Sequence, residues 1–165
     1  MYKLLIVDDE IVIREGLKNI IDWEQFGFTV CGEGENGRDG LEKIERLQPD
    51  LVIADLKMPG IDGLGMIEIL RSRQLTCKVI ILTGYPEFDY AQKAVELGAE
   101  AYLLKPLEED ELIEKIAIVR AQLDEETRSR ETFAEVVGAA REKLLENLVL
   151  GQSDDEQVQR LNQLY

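Results

Sequence analysis

The chain has 165 residues, 45% of them hydrophobic, and sets 34 acidic against 19 basic side chains for a formal net charge of −15. That length supports one well-cored domain and an appendage, and so negative a surface is ill suited to gripping a nucleic-acid backbone by itself. With no histidine, a histidine-based zinc site or general base is excluded, and no apolar run reaches membrane-spanning length.

The predicted elements alternate. A strand over Lys3–Asp8 is followed by a helix over Ile11–Asp22, a strand over Phe28–Glu33 and a helix over Gly37–Leu47. Asn36 is placed to cap that second helix, and Leu41, Ile44 and Leu47 share one of its faces. Next come a strand over Leu51–Asp55, a helix over Gly63–Arg71, a strand over Lys78–Thr83, a helix over Pro86–Leu97 and a strand over Ala101–Leu104. A fifth helix starts after Pro106, its first turn holding Glu108, Glu109, Asp110 and Glu111, where acids suit the positive helix end. Five βα units imply a parallel sheet with helices on both faces. The runs LVIAD and KVIILT are almost wholly apolar, as strands covered on both faces should be. Cys31 and Cys77 lie in strand-like runs and read as small buried hydrophobes in a reducing cytoplasm. A secretory leader is not expected, because only four apolar residues follow Lys3 before acids intervene.

Beyond Leu123 the texture changes. DEETRSRET is polar throughout, and then an apolar stripe at Phe133, Val137, Ala140, Leu144 and Leu148 follows helical spacing. Gly151 is placed to end that helix, and QSDDEQVQRLNQLY begins another amphipathic piece. Residues 1–123 therefore read as a complete domain and 124–165 as a helical linker toward a domain the chain lacks. The span from Pro106 to Leu150 holds no further proline, so one long helix is also possible.

In an open parallel sheet, function gathers at the carboxyl ends of the strands. The first strand delivers Asp8 and Asp9 there, the third Asp55, the fourth Thr83, and the fifth is followed at once by Lys105. Adjacent carboxylates repel by roughly 4 kcal/mol per pair at 4 Å in an effective dielectric near 20. The run Asp8–Asp9–Glu10 therefore stays in water or meets a cation. Asp8, Asp9 and Asp55 form an oxygen-rich set suited to Mg²⁺. Asp55 could then act as a nucleophile toward a phosphoryl group, with the Thr83 hydroxyl and Lys105 ammonium meeting its oxygens. Singly, each has an ordinary alternative: a helix cap for an aspartate, a surface lysine before proline, a turn residue for Thr83. Five at consecutive strand ends are not explained that way.

The motifs IVDDE, DLKMPGIDG around Asp55, ILTG and AYLLKPL make the chain resemble bacterial two-component response regulators, with residues 1–123 covering the receiver domain. The resemblance implies a flavodoxin-like (βα)5 fold with strand order 2-1-3-4-5. It implies that Asp55 is the phosphoacceptor, that Asp9 and Asp55 hold Mg²⁺ directly, and that Asp8 does so through water. The backbone carbonyl of Lys57 would complete the ligand set. Thr83 and Tyr102 match the family's switch pair, Lys105 its phosphate-sensing lysine, and the Lys105–Pro106 bond is expected to be cis. The segments IREGLKNIIDWEQFGFTVCGEGENG, TGYPEFDYAQKA and REKLLENLVLGQ are similar to regulators with AraC-type (YesN-like) output domains.

The implied function is a cytoplasmic switch phosphorylated by a sensor histidine kinase, controlling transcription through a DNA-binding output domain beyond these residues. It would catalyse only its own phosphorylation and dephosphorylation, and bind no membrane. A homodimer is expected, through the linker or through the face formed by the fourth helix, fifth strand and fifth helix. A stand-alone receiver acting by protein–protein interaction or phosphorelay is the second reading. A metal-dependent phosphohydrolase is the third, but DLKMPG offers neither the second carboxylate nor the substrate cap it would need.

Overall fold

Apolar runs too short for helices, alternating with amphipathic ones, can bury both faces of a strand only beneath two layers of helix. The computed structural model, which describes residues 1–151, has that architecture. Strands β1 (Tyr2–Val7), β2 (Phe28–Gly34), β3 (Leu51–Asp55), β4 (Lys78–Thr83) and β5 (Ala101–Leu104) form one sheet in the order β2-β1-β3-β4-β5. The strand pairings are all parallel, with Leu4 opposite Leu51, Leu51 opposite Lys78 and Ile80 opposite Ala101. This is the flavodoxin-like order expected from the sequence. All of β3 and all of β4 except Lys78 are buried. At about 1.5–3 kcal/mol per fully buried aliphatic side chain, these central strands dominate the stability of the sheet.

Five helices alternate with the strands and follow them in the chain: α1 (Ile11–Asn19), α2 (Gly37–Leu47), α3 (Gly63–Ser72), α4 (Phe88–Glu96) and α5 (Glu109–Val149). The expected Asn36 cap is present, its Oδ1 accepting from the Asp39 N–H at 2.8 Å, and Asp62 caps α3 through the Gly65 N–H at 2.7 Å. Two helices are shorter than the sequence suggested. α1 stops at Asn19, and Trp23–Phe26 form a 3-10 turn instead. There the buried Trp23 indole donates to the Leu17 carbonyl at 2.8 Å, and Gly27 adopts φ +83°, which turns the chain into β2. α4 starts two residues late because Glu87 is still extended.

At the amino side of the sheet, Asp50 ties strands together. Its N–H donates to the Lys3 carbonyl, its carboxylate accepts from the Lys3 N–H, and its carbonyl accepts from the Lys78 N–H. The polar run 124–132, expected as a break in texture, is helical and lies within α5. Glutamate and arginine are good helix formers, and Arg128 pairs with Glu125 one turn back at 3.1 Å. α5 ends as anticipated, with Gly151 at φ +68°. The second amphipathic piece, QSDDEQVQRLNQLY, lies outside the described residues. The chain divides into two compact units, Met1–Ala121 and Gln122–Tyr165. No described helix is long and apolar enough to cross a membrane. Cys77 is buried as expected, whereas Cys31 is only half-buried; both are free thiols.

Candidate functional site

Strand ends set the positions of the polar groups at the carboxyl edge. Asp8 follows β1 and is 1% exposed, whereas Asp9 and Glu10 are exposed. Asp55 closes β3, and Thr83 closes β4, fully buried. Lys105 follows β5, donates its N–H to the Thr83 carbonyl at 2.7 Å, and precedes a cis peptide bond to Pro106. Its ammonium lies between two carboxylates, 3.1 Å from Asp8 Oδ2 and 3.2 Å from Asp55 Oδ1.

The electrostatics follow from burial. Desolvation pushes the Asp55 carboxyl above the ordinary aspartate range; Lys105 opposes that, and Asp8 and Asp9 add to it. For Lys105, burial pulls the ammonium down, but the Asp55 and Asp8 carboxylates outweigh it and hold the group above the usual lysine range. Acidic side chains (Asp8, Asp9, Glu10 and Asp55) thus outnumber the one ammonium at this edge. The ligand oxygens of Asp8, Asp9 and Glu10 all lie within 4.8 Å of one another. A donor set made only of carboxylates fits a hard divalent cation such as Mg²⁺ rather than a soft metal. Glu10 was not in the expected ligand set.

Asp8 is held from three directions. Its Oδ1 accepts from the Glu10 N–H at 2.9 Å, its Oδ2 faces Lys105, and its backbone carbonyl accepts from Arg14 Nη1 at 2.7 Å. Arg14 is a nearly buried guanidinium whose Nε lies 3.2 Å from Glu33 Oε1. Glu33 also pairs with Lys18 at 2.9 Å, and its backbone carbonyl accepts from the Lys43 ammonium. Gly63 explains part of DLKMPGIDG, because a Cβ there would sit 2.5 Å from the Asp55 carbonyl oxygen. A side chain at that position would push on the backbone that carries Asp55.

Of the residues named from sequence, the structure brings Asp8, Asp55 and Lys105 into direct contact, with Asp9 beside Asp8. Thr83 and Tyr102 converge on Tyr85: Thr83 Oγ1 accepts from its N–H at 3.1 Å, and the Tyr102 hydroxyl donates to its carbonyl at 2.8 Å. The Lys57 side chain goes elsewhere, donating to the Tyr90 hydroxyl at 2.8 Å. Arg14, Tyr85 and Tyr90 were not singled out by the sequence. Their partners are distant in the chain or lie on the backbone, and no local pattern marks them.

A parallel doubly wound sheet with its acids and its lysine gathered at one edge defines an α/β protein that works at its strand ends. A model of the response regulator receiver domain matches residues 4–117, and the chain belongs to that family of two-component signalling proteins. It is 36% identical over 158 residues to an uncharacterised transcriptional regulatory protein, YesN, of Bacillus subtilis, covering 92% of this chain and 43% of YesN. It is 35% identical over 135 residues to the transcriptional regulatory protein HptR of Staphylococcus aureus, covering 81% of this chain and 53% of HptR. The chain thus spans about half the length of the curated relatives it matches. Among solved structures it resembles the receiver domain of AraT, a response regulator from Geobacillus stearothermophilus. There the TM-score is 0.71 and the identity 42%, over 76% of this chain and 98% of that one.

Proposed function

We propose that the protein is a phosphorylation-controlled switch in which Asp55 accepts a phosphoryl group from a sensor histidine kinase. The observation that carries this reading is the Lys105 ammonium bridging Asp8 and Asp55 at 3.1 and 3.2 Å. An Asp55 oxygen attacks phosphorus, the phosphorus–donor bond breaks, and the donor leaves with its electron pair. Lys105 exchanges part of its pairing with Asp55 for a phosphoryl oxygen, and the Thr83 hydroxyl donates to another. Asp8, Asp9, Asp55 and the Lys57 carbonyl would hold Mg²⁺, which when bound neutralises charge on the phosphoryl oxygens. The chain transfers the group only to and from itself and turns over no separate substrate.

Phosphorylation adds roughly one further negative charge and strong acceptor oxygens beside Thr83. Movement of Thr83 toward them alters what Tyr85 and Tyr102 can hold, and so the surface of α4, β5 and α5. Residues 1–123 act as the receiver and 124–165 as a linker to a DNA-binding output domain, in keeping with the length and names of YesN and HptR. The linker stripe pairs with a second copy of the chain, and the protein works in the cytoplasm. Incubating wild type and Asp55→Asn with acetyl phosphate and Mg²⁺, then reading intact mass, tests the core of this. One phosphoryl group on wild type and none on the variant is expected; equal gain in both rejects Asp55.

A further inference from the structure

Lys57 stands two residues after Asp55, and its side chain is exposed on a chain rich in acids. Even so, its described contacts are aromatic. The ammonium lies 4.4 Å from the centroid of the Tyr90 ring and 5.1 Å from that of Tyr85, while donating to the Tyr90 hydroxyl at 2.8 Å. A cation over the face of a ring is attracted by its quadrupole, and here two rings share one cation. The rings come from different places: Tyr90 from the first turn of α4, Tyr85 from the connection that leads into it. Lys57 therefore ties the connection after β3 to the one after β4.

Tyr85 is the point where this tie meets the switch pair. Its N–H is held by Thr83 Oγ1, its carbonyl by the Tyr102 hydroxyl, and its ring by Lys57. Tyr85 as a whole is 49% exposed. We propose that the Lys57 ammonium is a positioning residue: by holding the Tyr85 and Tyr90 rings, it keeps the Tyr85 carbonyl where the Tyr102 hydroxyl can reach it. Lys57 acts on Tyr102 only through Tyr85. The same residue that would lend its backbone carbonyl to the metal thus fixes, with its side chain, the tyrosine that reports the state of the site. That signalling consequence rests on the phosphoacceptor reading; the latch itself does not.

The test uses the full chain without metal or phosphoryl donor, so it stands apart from whether Asp55 is phosphorylated. Proteins carrying 3-fluorotyrosine are compared by ¹⁹F NMR, with the Tyr102 signal assigned by Tyr102→Phe. Nitration of Tyr102 by tetranitromethane is followed by peptide mapping. Lys57→Met keeps the stem but removes charge and donor; it should displace or split the Tyr102 signal and raise its nitration rate severalfold. Tyr90→Phe, which keeps the ring and loses the hydroxyl, should change both in the same direction by less. Lys57→Arg, which keeps a cation that stacks on aromatic rings, should restore both toward wild type. If Tyr102 in Lys57→Met keeps its wild-type signal and nitration rate, the proposal is overturned. Equal displacement in Lys57→Arg and Lys57→Met overturns it too, because the cation would then be irrelevant.

Discussion

Two stretches of α5 show the same apolar spacing and opposite fates. Leu112, Ile116 and Val119 recur at intervals of four and three and are at most 1% exposed. Phe133, Val137, Ala140 and Leu144 recur at four, three and four, yet Phe133 is 71% exposed, Ala140 is exposed, and Val137 and Leu144 are only half-buried. Helical periodicity thus states which face of a helix seeks a partner and not whether one is present. The first stretch finds its partner in the unit Met1–Ala121, which has a sheet to cover. The second continues the same 41-residue helix into the other unit, where no cover over Phe133 is described. A stripe with no described cover is a reason to look for a second chain.

The comparison can be broken most sharply by truncating one residue on each stretch. Ile116→Ala should destabilise the fold by about 2–5 kcal/mol, the range for emptying a buried aliphatic site. Phe133→Ala should leave urea unfolding of the monomeric protein within about 0.5 kcal/mol of wild type. Comparable losses would mean that Phe133 is covered as well.

A second effect concerns mass. Sedimentation of 1–165 at tens of micromolar, beside a 1–124 truncation, should show a dimer for the longer chain and a monomer for the shorter. Beryllofluoride, a phosphoryl mimic, should strengthen the dimer. Monomers throughout would leave the second stripe to some other partner.

Gly63→Ala probes the candidate site, where backbone approaches backbone closely. It should cost about 1–3 kcal/mol by overpacking against the Asp55 carbonyl. It should also slow phosphorylation by acetyl phosphate more than Gly138→Ala, whose Cβ would meet nothing within 4 Å. Equal rates in the two variants would detach Gly63 from the site.

The smallest effect is a pH dependence. The Lys18 hydrogen bond holds Glu33 below the ordinary glutamate value, with Arg14 assisting and burial opposing. A carboxylate depressed in the folded state contributes stability above its unfolded pKa and loses it as pH falls through the folded value. The stability gap between wild type and Glu33→Gln should therefore be constant near neutrality and shrink on acidification below the usual glutamate range. A gap unchanged to low pH would show that the pairing is only geometric.

The strands were legible because burial on both faces leaves an unbroken apolar run, as in LVIAD and KVIILT. The candidate site was legible for a related reason: strand ends in a parallel sheet collect at one edge, so Asp8, Asp55, Thr83 and Lys105 could be placed there from order alone. Other features depend on contacts that sequence spacing does not encode. The guanidinium of Arg14 meets a backbone carbonyl, which every residue possesses, and the Lys57 ammonium meets a tyrosine 33 positions away. The sequence suggests a longer α1 because Ile20 and Ile21 continue its apolar character, whereas the helix stops at Asn19 and a 3-10 turn follows at Trp23–Phe26. The polar run 124–132 changes the texture of the sequence without ending the helix, because helix propensity needs no apolar face.

Trp23 has a use beyond its packing. It is the chain's single tryptophan, it is 4% exposed, and it belongs to the unit Met1–Ala121. Selectively excited indole emission therefore reports the melting of that unit and is blind to events confined to the other. Circular dichroism weighs every helical residue, including those of α5 after Ala121. Following both signals through one denaturation tests whether the two units melt together, without adding a dye or changing a residue.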